Sequence, residues 1–433
     1  MTEELNFAQD LLDFIHTSPS PFHVVSNIKD ILIEKGFGEL QLTKKWEISK
    51  GSKYFVTRND SAIIAFVVGN GDISDEGFRI IGAHTDSPTF SIKPSPEMVV
   101  EKTYLKLNTE VYGSPILNTW LDRPLSVAGR VILKTTNPFH PETKLININR
   151  PILIIPNQSL HMNPEINTGF EHNKQKDMLP LTACVGDNFE KNRFLVKLLA
   201  KELEIDADRI IDFDLCLYEH EKGSIIGLND EFISSTKLDN LAMVHAGLHA
   251  LLNTKVQQAT NVLVCFDNEE VGNRSKQGAD SPWMRTAMQR VAAILGCDQN
   301  DFFRAVYNSF LVSADMGNGV HPNAPEKHDP TNRPVINGGP MIKVHANRGF
   351  ITDSESEAVF ETLCQQADVP TQRFVSRSDS KGGATAGAAF LTQLDMRALD
   401  LGNSLLGMHS IRELGGVMDH YYIYKAFRQY YGE

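Results

Sequence analysis

The period of the hydrophobic positions changes several times along the chain, and those changes divide it. LNFAQDLLDFIHTS (Leu5 to Ser18) carries its apolar residues at helical spacing and stops before Pro19-Ser20-Pro21. VVSNIKDILIEKG repeats the pattern and is closed by Gly36. Short β-like runs follow, KYFVTR, SAIIAFVVG and FRIIGAHTDSP; the last is an apolar strand that breaks into His84-Thr85-Asp86-Ser87-Pro88.

From residue 89 to 228 the texture differs. TYLKLNTEVYG, LSVAGRVILK and RPILIIP read as short strands, and HMNPEINTGFEHNKQKDMLP as a polar loop. FEKNRFLVKLLAKEL reads as a helix and IIDFDLCLYE as a strand. Beyond this stretch helix and strand alternate: LDNLAMVHAGLHALLNT, NVLVCFDNEE, SPWMRTAMQRVAAILG, FLVSADMG, PMIKVHA, SESEAVFETLCQQAD, TQRFVSRSD and DHYYIYKAFRQYY. Alternation of this kind predicts an α/β domain with a largely parallel, helix-covered sheet. The simplest division is one α/β domain, residues 1–88 and 229–433, interrupted by a β-rich insert at 89–228.

Composition narrows the function classes. Of the 433 residues 41% are hydrophobic and 22% charged, an ordinary globular composition that argues against disorder. Lys and Arg number 42 against 54 Asp and Glu, a net charge of −12, and no basic block stands out, which argues against nucleic acid as a partner. No apolar stretch reaches membrane-spanning length. The acidic, amphipathic N-terminus lacks a signal peptide's basic start and cleavage site, and five scattered cysteines without a CxxC pair read as reduced thiols; both point to the cytoplasm.

The chemistry lies where apolar strands run out. His84 and Asp86 follow FRIIGA, Glu269 and Glu270 follow VLVCF, and Asp315 follows FLVSA; Asp239 lies in STKLDN and His409 in LLGMHSIRE. Ligands of open α/β sheets collect at the carboxyl ends of strands. Like charges crowded as in DNEE repel unless neutralised. Oxygen and imidazole donors without thiolate suit one or two divalent ions of the Zn, Mn or Co kind. If Glu269 and Glu270 continue the strand, their side chains point to opposite sides, one toward metal and the other toward water as a general base.

HTDSP, KLDN, DNEEVG, SADMGNGVHPN and MHSIRE, in this order and spread over the full length, closely resemble the aspartyl aminopeptidases. The resemblance implies a di-zinc exopeptidase that removes N-terminal Asp or Glu from peptides. It implies a zinc-exopeptidase-like mixed sheet flanked by helices, a β-rich dimerisation insert, and a tetrahedral dodecamer built from dimers. His84, Asp239 and Asp315 match the ligands of one zinc; Asp239, Glu270 and His409 match those of the other, with Asp239 bridging. Glu269 matches the catalytic base and Asp86 the carboxylate that orients His84. Lys343, in GPMIKVHA, matches a lysine that meets the acidic side chain of the substrate. His161, in NQSLHMN, matches a histidine that reaches a neighbouring subunit's active site.

Two features are set apart. His245 and His249 in HAGLH have the spacing of a helical zinc motif, but Ala246 stands where the hydrolytic Glu should be. They share a helix face with Leu241, Leu248 and Leu252 and read as packing residues. The Gly-rich SDSKGGATAG, with Lys381, lacks the ending of a phosphate loop and resembles the family's loop near the active site. Two rival functions remain on the sequence: a broad-specificity di-metal aminopeptidase or deacylase of the same fold, and an inactive peptide-binding shell protein.

Overall fold

The apolar runs pair into sheets much as their periods predict. The computed structural model describes residues 2–186, 189–380 and 385–433, and the chain forms two compact units. The first comprises Met1–Asp86, Gly223–Met408 and Glu413–Glu433; the second comprises Ser87–Lys222 and His409–Arg412.

The first unit is built on a nine-stranded mixed sheet. Its order is Gly38–Glu39, Lys53–Arg58, Ala62–Val67, Thr260–Phe266, Phe78–His84, Phe310–Ala314, Arg397–Gly402, Met341–Val344 and Gln372–Val375. The four strands from Thr260–Phe266 to Arg397–Gly402 are mutually parallel, so their carboxyl ends share one edge. Alternate residues go to opposite faces. Ile63, Ala65, Ile81, Leu263 and Cys265 pack under the helices Glu3–Thr17, Pro21–Glu34, Leu238–Asn253, Ser354–Gln366 and Val417–Tyr430. Ala62, Ile64, Ile80, Val262 and Val264 pack under Trp283–Ile294 and Gln299–Tyr307. Both faces are therefore apolar, which explains the continuous hydrophobic runs. A bare charge inside either layer costs several kcal/mol, so acidic groups stand at the strand ends or, like buried Asp400 within Arg397–Gly402, are hydrogen-bonded: Asp400 accepts from the Ile351 N–H and the Thr385 hydroxyl, each at 2.7 Å.

The second unit holds a six-stranded sheet whose neighbours are all antiparallel: Glu142–Asn147, Leu125–Leu133, Ile210–Glu219, Thr89–Val100, Tyr104–Tyr112 and Leu181–Cys184. The helix Phe194–Glu202 supplies Leu195 and Leu199 to its core, and Ile411 joins them. The segment His409–Arg412 is also fixed electrostatically. Buried Glu219 lies 3.1 Å from Arg123 Nη1 and 2.8 Å from Arg412 Nε.

Two local readings are corrected. RPILIIP forms only isolated bridges, Leu125 with Leu153 and Ile154 with Leu181, because Pro151 and Pro156 bracket it and donate nothing to a ladder. The helix expected from Phe189 begins only at Phe194, because Arg193 adopts a left-handed conformation (φ 54°). Among the described residues, no helix is long and apolar enough to cross a membrane.

Candidate metal centre

His84 is the last residue of its strand and pairs in register with Phe266, the last residue of the neighbouring one. Its buried imidazole is used on both sides. Nε2 lies 3.5 Å from Asp239 Oδ1 and 3.6 Å from Asp315 Oδ1. Nδ1 lies 3.1 Å from the Asp86 carbonyl and 3.4 Å from Asp86 Oδ1. Asp315 arrives directly from the end of Phe310–Ala314. Asp239 sits at the start of Leu238–Asn253, where it and Asn240 leave helical geometry. That bend is anchored twice: Glu413 Oε2 accepts the Asp239 N–H at 2.9 Å, and Asn240 Nδ2 donates to the Ala314 carbonyl at 2.8 Å.

The acidic stretch after Phe266 differs from the expected extended segment. Asn268 turns left-handed (φ 65°), Glu269–Val271 form a single 3-10 turn, and Gly272 closes it at φ 95°. Asp86 holds the turn, its Oδ1 accepting the N–H of Glu269 and its Oδ2 that of Glu270, each at 3.1 Å. Asp267 is directed into the following loop, where it accepts from the Asn268 N–H at 2.7 Å. Glu269 and Glu270 remain facing His84: one donor atom from each of the three falls within 4.8 Å of the others, as for His84, Asp239 and Asp315.

The electrostatics fit a cation. Five carboxylates, Asp86, Asp239, Glu269, Glu270 and Asp315, surround one imidazole. Burial first, then Asp239, pushes Glu270 up to about 10; burial first, opposed by His84 and reinforced by Asp315, pushes Glu269 up to about 7. Burial alone would lower His84, but its bonds to Asp239, Asp315 and Asp86 raise it well above its ordinary value. The neighbouring ammonium, buried Lys343, lies 3.5 Å from Asp315 Oδ2 and donates to the Met316 carbonyl at 2.7 Å. Several like charges in an apolar setting need more compensation than one ammonium gives, and a divalent ion on these O and N donors supplies it.

The model of the aminopeptidase I zinc metalloprotease (M18) family matches residues 14–431. The chain belongs to the M18 aminopeptidase family. A "Probable M18 family aminopeptidase 2" of Clostridium novyi is 58% identical over 431 residues, covering both chains completely. One of the same description from Ectopseudomonas mendocina is 41% identical over 433 residues, covering all of this chain and 99% of the other. Among solved structures, the Ape4 and Nbr1 complex contains a chain with TM-score 0.94 and 36% identity, covering 99% of this chain and 86% of that one. The mApe1 dodecamer of S. cerevisiae matches at TM-score 0.85 and 26% identity, over 98% and 95%. The protein is thus a metallo-aminopeptidase, and its mixed, helix-flanked sheet is that of its relatives.

Within this M18 aminopeptidase, the first unit brings together His84, Asp86, Asp239, Glu269, Glu270, Asp315 and Lys343. His409 and His161 belong to the second unit. His409 Nδ1 lies 3.1 Å from the Ser114 carbonyl, and His161 is exposed between Leu160 and Met162. Lys381 lies outside the described residues. Sequence reasoning overlooked Glu413 as the brace of Asp239. Its signal was present, an acid that closes MHSIRE and opens the strand-like ELGG.

Proposed function

We propose that this aminopeptidase releases N-terminal Asp or Glu from peptides with the help of two divalent ions, zinc foremost. The observation that carries the reading is His84, set between carboxylates on both ring nitrogens, with a buried ammonium 3.5 Å from Asp315 on the same rim. His84, Asp239 and Asp315 would hold one ion. The family resemblance assigns Asp239, Glu270 and His409 to the other, with Asp239 shared. When bound, the metal lowers the pKa of a water and polarises the scissile carbonyl.

The remaining work falls to side chains. Glu269, pushed to about 7 in the metal-free chain, takes the proton of the attacking water and returns it to the leaving amine. Asp86 fixes the His84 ring through Nδ1 and the Glu269 turn through its N–H. The acidic rim attracts the free α-amino group, which makes the enzyme an exopeptidase. Lys343 provides the counter-charge for an acidic first residue. An ammonium has three donors, and among the described residues Met316 and Asp315 engage it without exhausting them.

The second unit is proposed as a dimerisation module of a homododecamer. Leu160 and Met162, which flank His161, are 55% and 77% exposed, large apolar side chains suited to burial against another copy. His161 would then reach a neighbour's site.

The deciding experiment strips the protein with a chelator, reloads it with Zn²⁺, Mn²⁺ or Co²⁺, and compares Glu-, Asp- and Leu-arylamides. Preference for the acidic pair supports the proposal. Equal or faster hydrolysis of the Leu substrate would make this a broad-specificity aminopeptidase, and hydrolysis of N-acyl amino acids alone a deacylase.

A further inference from the structure

The HAGLH pair, His245 and His249, takes no part in the chemistry above, yet the fold gives it a third donor. Asp10, from the helix Glu3–Thr17, places Oδ2 3.2 Å from His245 Nε2 and 3.2 Å from His249 Nε2. We propose that Asp10, His245 and His249 form a further divalent-cation site of the zinc class, which staples the helix Glu3–Thr17 to the helix Leu238–Asn253.

Four observations support it. The two imidazoles, four residues apart on one helix face, present the same ring atom to the same carboxylate oxygen. The separations are long for charge-assisted bonds, which run about 2.7–2.9 Å. They approach the roughly 3.3–3.5 Å between donors on a tetrahedral zinc with bonds of about 2.0–2.2 Å. The corresponding distances around His84 are 3.5 and 3.6 Å.

His245 also has an outer partner in the position where metal-binding histidines place a carboxylate, carbonyl or water. Its Nδ1 lies 3.0 Å from His420 Nε2, so an Nδ1–H donated to His420 leaves Nε2 free for an ion. Buried His420 has no partner at its own Nδ1 among the described residues, so its recorded side-chain bond is the one to His245. The His420 ring also stacks on Phe7, with centroids 4.7 Å apart, which holds this acceptor in place beside His245.

Access differs across the cluster as a site requires. His245 is 1% exposed and Phe7 packs against it, with ring centroids 4.8 Å apart. The Asp10 side chain is 54% exposed and that of His249 27%, which leaves an entry path and room for a water to complete the coordination. Without a glutamate after the first histidine, the site has no hydrolytic base, so its role is to hold the two helices together.

The test uses the full chain, stripped of metal and titrated with Zn²⁺ alone at pH 7.5, with bound metal measured after desalting. Wild type should retain about one equivalent per chain more than Asp10→Asn or His249→Gln, while both variants keep wild-type peptidase rates. Equal equivalents in wild type and both variants would overturn the proposal, leaving a hydrogen-bonded clamp without an ion. Should the variants fold poorly, anomalous diffraction at the zinc edge from wild-type crystals in millimolar Zn²⁺ decides alone. A peak among the three side chains supports the site, and its absence refutes it. The readout is a difference at one place in the fold, so it is independent of whether the peptidase centre binds one ion or two.

Discussion

Asp86 Oδ1 accepts the backbone N–H of Glu269 at 3.1 Å, while the same carboxylate stands beside His84 Nδ1. One buried side chain therefore sets both the imidazole and the turn that carries the proposed base, and its other oxygen serves Glu270. Charge-assisted bonds of this kind contribute about 1.5–3 kcal/mol each. Asp86→Asn replaces one acceptor oxygen with a donor that opposes a backbone N–H. Zinc affinity, measured by competition with a chelator, should fall about 10–100-fold. Unchanged affinity would assign Asp86 to the fold alone.

Glu269→Gln keeps the shape of the turn and removes the proton acceptor. The expected result is a loss of roughly 10²–10⁴ in kcat with metal content near that of wild type. Loss of metal alongside activity would exchange the roles of Glu269 and Glu270.

Lys343→Met retains most of the stem and deletes the charge. If the ammonium recognises an acidic side chain, kcat/KM for Glu and Asp substrates should drop about ten- to a hundredfold, following from about 1.5–3 kcal/mol for the bond. Leu substrates should change much less. The ratio of the two classes, read with metal content as a control because Asp315 lies 3.5 Å away, is the test. Equal losses on both classes would make the lysine structural.

Metal and pH are linked with a definite sign. In the metal-free chain, burial pushes Glu269 and Glu270 from an ordinary value of 4.5 to about 7 and about 10. Below 4.5 both folded and unfolded chains hold these protons. Above it, the unfolded chain releases protons that the folded chain keeps, so metal-free stability falls as pH rises, through 7 for Glu269 and on toward 10 for Glu270. Zinc displaces the protons and reverses the trend. Thermal scans of chelated protein should show Tm falling from pH 5 to 9, less steeply in Glu270→Gln, and the zinc-induced rise in Tm should grow with pH. A pH-independent zinc effect would contradict this assignment.

The strands were legible because both sheet faces are buried, so apolar runs such as VLVCF and FRIIGA announce themselves, and the charges that end them mark the rim. What local pattern could not convey depends on residues far apart. The turn at Glu269 answers to Asp86, 183 positions away, and neither residue's neighbours indicate the pairing. Asp10 meets His245 across 235 positions, a contact that HAGLH alone does not announce, although its reading as packing holds for His245, 1% exposed against Phe7. RPILIIP misled for a different reason, since its apolar content suggests a strand while its prolines deny the ladder.

The order of the parallel strands has a consequence in time. Phe310–Ala314 lies between Phe78–His84, made earlier in synthesis, and Arg397–Gly402, made later. Pairings so remote in sequence form slowly, because long loops must close before any bond rewards them. Helices such as Leu238–Asn253 need no such closure. On refolding from denaturant, helical signal should therefore return well before the donors from His84 to Asp315 converge, and the arrival of metal-binding capacity would time the closing of the sheet.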